Sequence, residues 1–302
     1  MKQTIKRLGA ALSAVVLLAL LLLAVAHVKA SARMGRKFAT HRIDLPLPAA
    51  ADLEAIARGK HLVARNGCDG CHGVDLAGGI MLDDPAIGSI RGPNLTKGRG
   101  GLAANYAMAD WDRIVRHGVK PDGSPAVMPS QDFFSLSDAE LSDIAAYIRS
   151  VPAVDAEVPR SSFGPIGKVL VALGKFPLAA EHQTAAAEHA SRPPETANTA
   201  EFGAHLAALC VTCHRADFAG GPIVSGPPNW PPAANLTAHA TGLGDWSYAD
   251  FERAITEGVR KDGRQLREPM TALLPAARAM LPAERRALWT YLRSLPARAT
   301  PQ

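Results

Sequence analysis

Four cysteines are all that 302 residues contain, and they stand as two C-x-x-C pairs, Cys68/Cys71 and Cys210/Cys213. None is left over. Neither pair therefore has beside it the second pair that a four-thiolate zinc centre would need. Acid is also missing from the first 37 residues, which hold seven basic residues and no Asp or Glu. The remainder carries 26 basic against 28 acidic residues, so the formal charge of +5 belongs to the N-terminus. A nucleic-acid surface loses its electrostatic basis, and no nucleic-acid partner is expected.

That N-terminus reads Lys2, Lys6 and Arg7, then an uninterrupted apolar run from Leu8 to Ala26. A signal peptide has an apolar core of roughly 7–15 residues and a small-residue cleavage site. A membrane-spanning helix needs about 20 apolar residues. The run is nearer the second, although "VKA" and "ASA" both offer cleavage patterns. The expectation is an uncleaved anchor over residues 1–37, with a cleaved signal as the alternative. Either one sends the rest of the chain across a membrane.

The rest is a duplication. The cysteine pairs recur 142 positions apart, and "ARGKHLVARNGCDGCHG" faces "EFGAHLAALCVTCHR". Further on, "GPNLTKGRGG" faces "AANLTAHATG", "GVKPDG" faces "GVRKDG", and "LSDAELSDIAAYIRSVP" faces "LPAERRALWTYLRSLP". Each copy, of about 100 residues, has the usual size of a domain. Leu141, Ile144, Ala145 and Ile148 fall on one helical face, as do Leu288, Tyr291, Leu292 and Leu295. Ser137 and Glu140 form a capping box, with Leu136 and Leu141 placed as its staple. Both closing helices should stop before a proline, Pro152 or Pro296. The expected fold is all-α: domain 1 over 45–152, a linker over 153–195 and domain 2 over 196–298. The linker is Pro- and Ala-rich, with one short helix expected around Lys168–Leu173.

In both copies a histidine, His72 or His214, follows the second cysteine. A zinc site would need four ligands in a tetrahedron, yet Cys71 and His72 are adjacent and project in different directions. A thioredoxin-like dithiol calls for a βαβ setting, and this sequence offers helices. A disulfide across two residues is strained and has no use for the histidine. The remaining reading is covalent haem, with thioethers to both cysteines and the histidine as proximal iron ligand. Two copies imply two haem c groups.

Each module resembles a class I cytochrome c domain. The pair resembles the membrane-anchored cytochrome c subunits of bacterial periplasmic dehydrogenases for alcohols, gluconate or aldehydes. The matching stretches are "RGKHLVARNGCDGCHG", "NLT", "WSYADFERAITEGVRKDG" and "MPSQDFFSLSDAELSDIAAYIRSVP". The better-known relatives often carry three modules where this chain carries two, which leaves the partner enzyme open.

The resemblance implies thioethers at Cys68, Cys71, Cys210 and Cys213, and it places the distal ligand of module 1 at Met128. Met81 and Met108 read as packing, the default for methionine. Aligning "GVKPDG" on "GVRKDG" brings Met270 opposite Met128, with Met280 as a packing residue before the closing helix. A proline carbonyl that orients the proximal imidazole would be Pro93; module 2 offers no assignable counterpart. His61 and His205 recur before the motifs and read as amphipathic side chains beside the core.

The implied function is electron relay in the periplasm by an inner-membrane protein with a single N-terminal pass. The donor would be a dehydrogenase, and the acceptor a downstream cytochrome or terminal oxidase. Such a protein is a carrier and not an enzyme. The alternative is a di-haem redox enzyme of the peroxidase type, which the methionine in each module disfavours. A thiosulfate-oxidising enzyme would need a spare cysteine as distal ligand. A gas sensor would need an output domain, and the sequence shows none.

Overall fold

The computed structural model describes residues 2–40, 43, 45–49, 52–182, 188–195, 199–223, 226 and 230–301. The expected start of domain 2, residue 196, lies outside the described residues. The chain opens with helix α1, Lys2–Gly35. It is long and apolar enough to cross a membrane, with a mean hydropathy of 2.8. Its large apolar side chains, from Ile5 to Val28, are exposed.

The last turns of α1 behave differently. Ala30 is buried, and Arg33 donates to the carbonyls of Val171 (2.6 Å) and Phe176 (3.0 Å) and pairs with Glu181.

Module 1 contains α2 (Leu53–Arg65), α3 (Cys68–His72), strands β1 (Gly79–Asp84) and β2 (Gly88–Gly92), α4 (Met108–Val115) and α5 (Asp138–Ser150). Helix α2 is capped by Asp52, which accepts from the Ala55 amide at 2.9 Å. Helix α5 opens on the Ser137–Glu140 capping box and ends before Pro152. Leu141, Ile144, Ala145 and Ile148 are all buried there, beside Leu62, Leu95 and Trp111. The α2–α5 crossing is close because residue 59 is glycine: a Cβ there would lie 1.9 Å from the Asp143 carbonyl oxygen.

The segment after α5 adds β3 (Ser162–Phe163) and α6 (Pro165–Ala172), the latter matching the short helix expected there. Strand β3 pairs antiparallel with β2, giving a three-stranded sheet in the order β1-β2-β3. An all-α reading omits this sheet. The regular structure is mostly helical, and the sheet arises in a hairpin of module 1 joined by a strand of the following segment.

Module 2 contains α7 (Ala200–Ala207), α8 (Val211–His214), α9 (Tyr248–Glu257), α10 (Leu274–Ala279) and α11 (Pro282–Ser294). Its α7–α11 crossing repeats the earlier one: a Cβ on Gly203 would lie 2.1 Å from the Ala287 carbonyl oxygen. Where module 1 has its hairpin, module 2 has "GPIVSGPPNWPPA", and the described residues there make a single bridge, Gly221 to Ala233. Proline has no N–H to give a ladder, and Pro222, Pro231 and Pro232 stand beside that bridge.

Candidate haem sites and the seam between the modules

Both C-x-x-C-H motifs coil into short helices, which places each cysteine pair three residues apart on one face. None of the four cysteines is in a disulfide. Burial pushes Cys68 and Cys210 up to about 12, and raises Cys71 and Cys213 as well. These are protonated thiols at neutral pH, unlike the low-pKa thiolates of redox dithiols.

The two histidines are held alike. His72 Nδ1 lies 2.9 Å from the Pro93 carbonyl oxygen, and His214 Nδ1 lies 2.8 Å from that of Ala234. Each ring thus donates through Nδ1, which fixes the tautomer and leaves Nε2 with its lone pair. Burial lowers the pKa of both rings against an opposing pull from those carbonyls, so the neutral form prevails.

Ala234 is an acceptor that sequence reasoning left unassigned. The signal was present, because "PNLT" and "ANLT" align Ala234 on Pro93, and a backbone carbonyl does not depend on its side chain. Asn94 and Asn235 hold the two loops in the same way, each accepting at 2.8 Å from the amide two residues on.

Met128 packs half-buried against the core of module 1. Met108 is buried at the start of α4, and Met81 is half exposed on β1. Module 2 departs from simple alignment. The "GVKPDG" and "GVRKDG" turns match bridge for bridge, Val119–Pro125 with Val259–Gln265. Counting from those bridges puts Glu268, not Met270, in the register of Met128. Met270 comes two residues later and opens a 3₁₀ turn, Met270–Leu273, where module 1 has Ser130. Met280 packs against the core of module 2.

The modules meet in a crossed arrangement. The 3₁₀ turn after Met128, Ser130–Phe133, lies on the second motif, with Thr212 donating to Asp132. Burial raises Asp132 to about 6, against an opposing pull from that hydroxyl. Reciprocally, α10, which follows Met270, lies against the first motif, with Ala276 close to Gly67.

Between these contacts sits a cluster of buried charge. His61 Nε2 is 2.9 Å from Glu284, and His205 Nε2 is 2.9 Å from Glu140. Each histidine thus reaches the first-turn glutamate of the other module's closing helix. Arg65 spans both carboxylates, at 2.8 Å from Glu284 and 3.1 Å from Glu140. The histidines that read as core-flanking side chains are the reciprocal pins of this seam. Recurrence of a histidine before each motif, and of a glutamate in each closing helix, was the available signal.

The residues fit a covalently attached haem. Each module offers two protonated thiols on one face, an imidazole with one nitrogen committed and the other not, and a thioether. Module 1 adds a buried donor, Trp111 Nε1, that has no partner among the described residues. Two such modules in one chain define a c-type cytochrome.

The sequence matches the family Cytochrome c twice, over residues 56–152 and 200–296, and the chain belongs to that family. It carries two covalently bound haem c groups, one per domain. It is 30% identical over 278 residues to the fructose dehydrogenase cytochrome subunit of Gluconobacter japonicus, covering 84% of this chain and 55% of that one. It is 26% identical over 232 residues to the alcohol dehydrogenase (quinone) cytochrome c subunit of Gluconobacter oxydans, covering 69% and 48%. A diheme cytochrome c-type protein of Cereibacter sphaeroides is 25% identical over 268 residues, covering 80% and 86%. The chain therefore spans about half the length of the two dehydrogenase subunits.

Proposed function

We propose that this chain is a di-haem electron carrier, anchored in the inner membrane by residues 1–37, with its cytochrome domains in the periplasm. Domain 1 spans 45–152 and domain 2 spans 196–298, joined by the linker 153–195. It takes electrons from a dehydrogenase subunit and passes them to a downstream cytochrome or terminal oxidase. Bound haem supplies a one-electron iron couple. The chain's own residues set how that couple is held. Cys68, Cys71, Cys210 and Cys213 carry the thioethers. His72 and His214 are the proximal ligands, with Pro93 and Ala234 fixing their rings. Met128 and Met270 close the distal positions.

One observation carries this reading: each motif histidine is committed through Nδ1 to a carbonyl in the same relative place, in a module that also packs a methionine against its core. An iron closed on both sides cycles its charge without binding substrate. The apolar run Leu8–Ala26 supports the anchor, and thioether attachment on the far side of the membrane supports a periplasmic location.

The test is spectroscopic. Pyridine haemochrome analysis should give two haems per polypeptide that stay with the chain on denaturation. The reduced protein should show no spectral shift with carbon monoxide. A single haem would remove one module from the reading, and a full carbon monoxide shift would turn it toward an enzyme with an open iron.

A further inference from the structure

We propose that Asp112, His117 and His189 form a binding site for a divalent transition-metal ion of the zinc class, away from either C-x-x-C-H motif. Asp112 lies on α4, His117 just beyond its end, and His189 in the segment that leads from module 1 to module 2. One donor atom from each lies within 4.8 Å of the other two.

The spacing suits an ion. His117 Nε2 and His189 Nε2 are 3.3 Å apart, and His117 Nε2 is 3.7 Å from Asp112 Oδ1. Two nitrogens bound to one zinc at about 2.0–2.1 Å in a tetrahedron stand about 3.3–3.4 Å apart. Imidazole with carboxylate is also the donor set that zinc shares with copper, iron and nickel.

Charge points the same way. Asp112 is 1% exposed, and its Oδ2 has no hydrogen-bond partner among the described residues. Its Oδ1 accepts from Arg116 Nε at 2.6 Å, and the same guanidinium also serves Asp138 at 2.9 Å. Two carboxylates thus share one fixed cation, and Asp112 keeps a buried oxygen that no hydrogen bond from the described residues reaches. A buried carboxylate oxygen without a hydrogen bond calls for a partner, which a bound cation would supply. Phe134 closes the cluster, stacking edge-on against both imidazoles.

An ion here would tie the linker to module 1. The linker already touches this end, where the Asp138 and Ala139 amides donate to the Ala190 and Ser191 carbonyls at 2.9 and 3.1 Å. Three protein donors leave one tetrahedral position for water, the pattern of an open site and not of a closed four-residue one.

The experiment uses the full di-haem protein in detergent, dialysed against chelator and then titrated with zinc. Metal analysis after equilibrium dialysis should find one zinc per chain beyond the two irons, and added zinc should raise the unfolding midpoint. His189→Gln, at a half-buried linker position, should weaken binding at least tenfold and abolish the midpoint shift. Its Soret spectrum should match wild type, showing an intact fold. His117→Gln should lose the zinc too, and X-ray absorption at the zinc edge should show two imidazole ligands in wild type. Absence of saturable zinc binding, or equal binding by wild type and His189→Gln, would overturn the proposal.

Discussion

At the scale of single residues, the two methionines make the sharpest test. Met128→Ala and Met270→Ala should each open one iron, permit carbon monoxide binding at that haem alone and lower its potential, because a thioether favours the reduced state. Met108→Ala should leave the haem spectrum intact and cost about 2–5 kcal/mol, as truncation of a buried methionine does. The two-residue offset of Met270 makes Met280→Ala the decisive control. If that variant opens the second haem and Met270→Ala does not, the distal assignment moves to Met280. A different residue-scale expectation concerns Arg215, which has φ 68° where module 1 has Gly73 at φ 81°. With ψ at 164°, Arg215 sits in a region that glycine alone enters freely, at a cost of about 1–3 kcal/mol, so Arg215→Gly should stabilise module 2 by about 1 kcal/mol in chemical denaturation. Residue identity made the motif cysteines and histidines legible from sequence. Ala234 was not, because its contribution comes through the carbonyl that every residue owns.

At the scale of elements, the closing helices do two jobs with one side chain. Glu140 caps α5 through Ser137 and also receives His205 and Arg65 from across the seam. Burial alone would raise its pKa, but the His205 hydrogen bond and charge, with Ser137 and Arg65, outweigh that and hold it at about 2. A carboxylate whose folded pKa is depressed stabilises the fold above its unfolded pKa of about 4.5 and loses that contribution as pH falls toward 2. The contribution is about 3 kcal/mol. Glu140→Gln should therefore flatten the acid limb of a stability–pH profile between about pH 4.5 and 2. At neutral pH it should destabilise by about 3–5 kcal/mol, because Arg65 stays buried with one anionic partner fewer. Capping was readable from the Ser-x-x-Glu spacing, since that pairing is local. The seam was not, because it joins positions 219 apart between Arg65 and Glu284. The hairpin of module 1 was missed for another reason: its two strands are short and glycine-bounded, and the matching stretch of the other copy is proline-rich in sequence.

At the scale of the whole molecule, the N-terminal helix is both an apolar rod and a docked element. Replacing residues 1–30 with a cleavable export signal should release a soluble di-haem protein, recovered in the periplasmic fraction without detergent. Arg33 stays in that variant, and with it the contacts to Val171, Phe176 and Glu181. Arg33→Ala in the full chain should instead leave the protein on the membrane while exposing the stretch around α6 to limited proteolysis. The duplication, the module order and the apolar run were all legible, because repeats and long hydrophobic runs are written into the chain in order. How the modules face each other was not, because a repeat says that two units are alike without saying how they dock.

The crossed packing of the modules has a consequence for how the protein is made. Thr212 sits between the cysteines of the second motif and is held by Asp132 of module 1, while Gly67, next to the first motif, lies under Ala276 of module 2. Each motif is therefore touched by the segment that follows its sibling's methionine, with its own residues left unburied. A chain loaded at one motif only would set an unfinished half against a finished one, so that filling one site would be felt, through the seam, at the other.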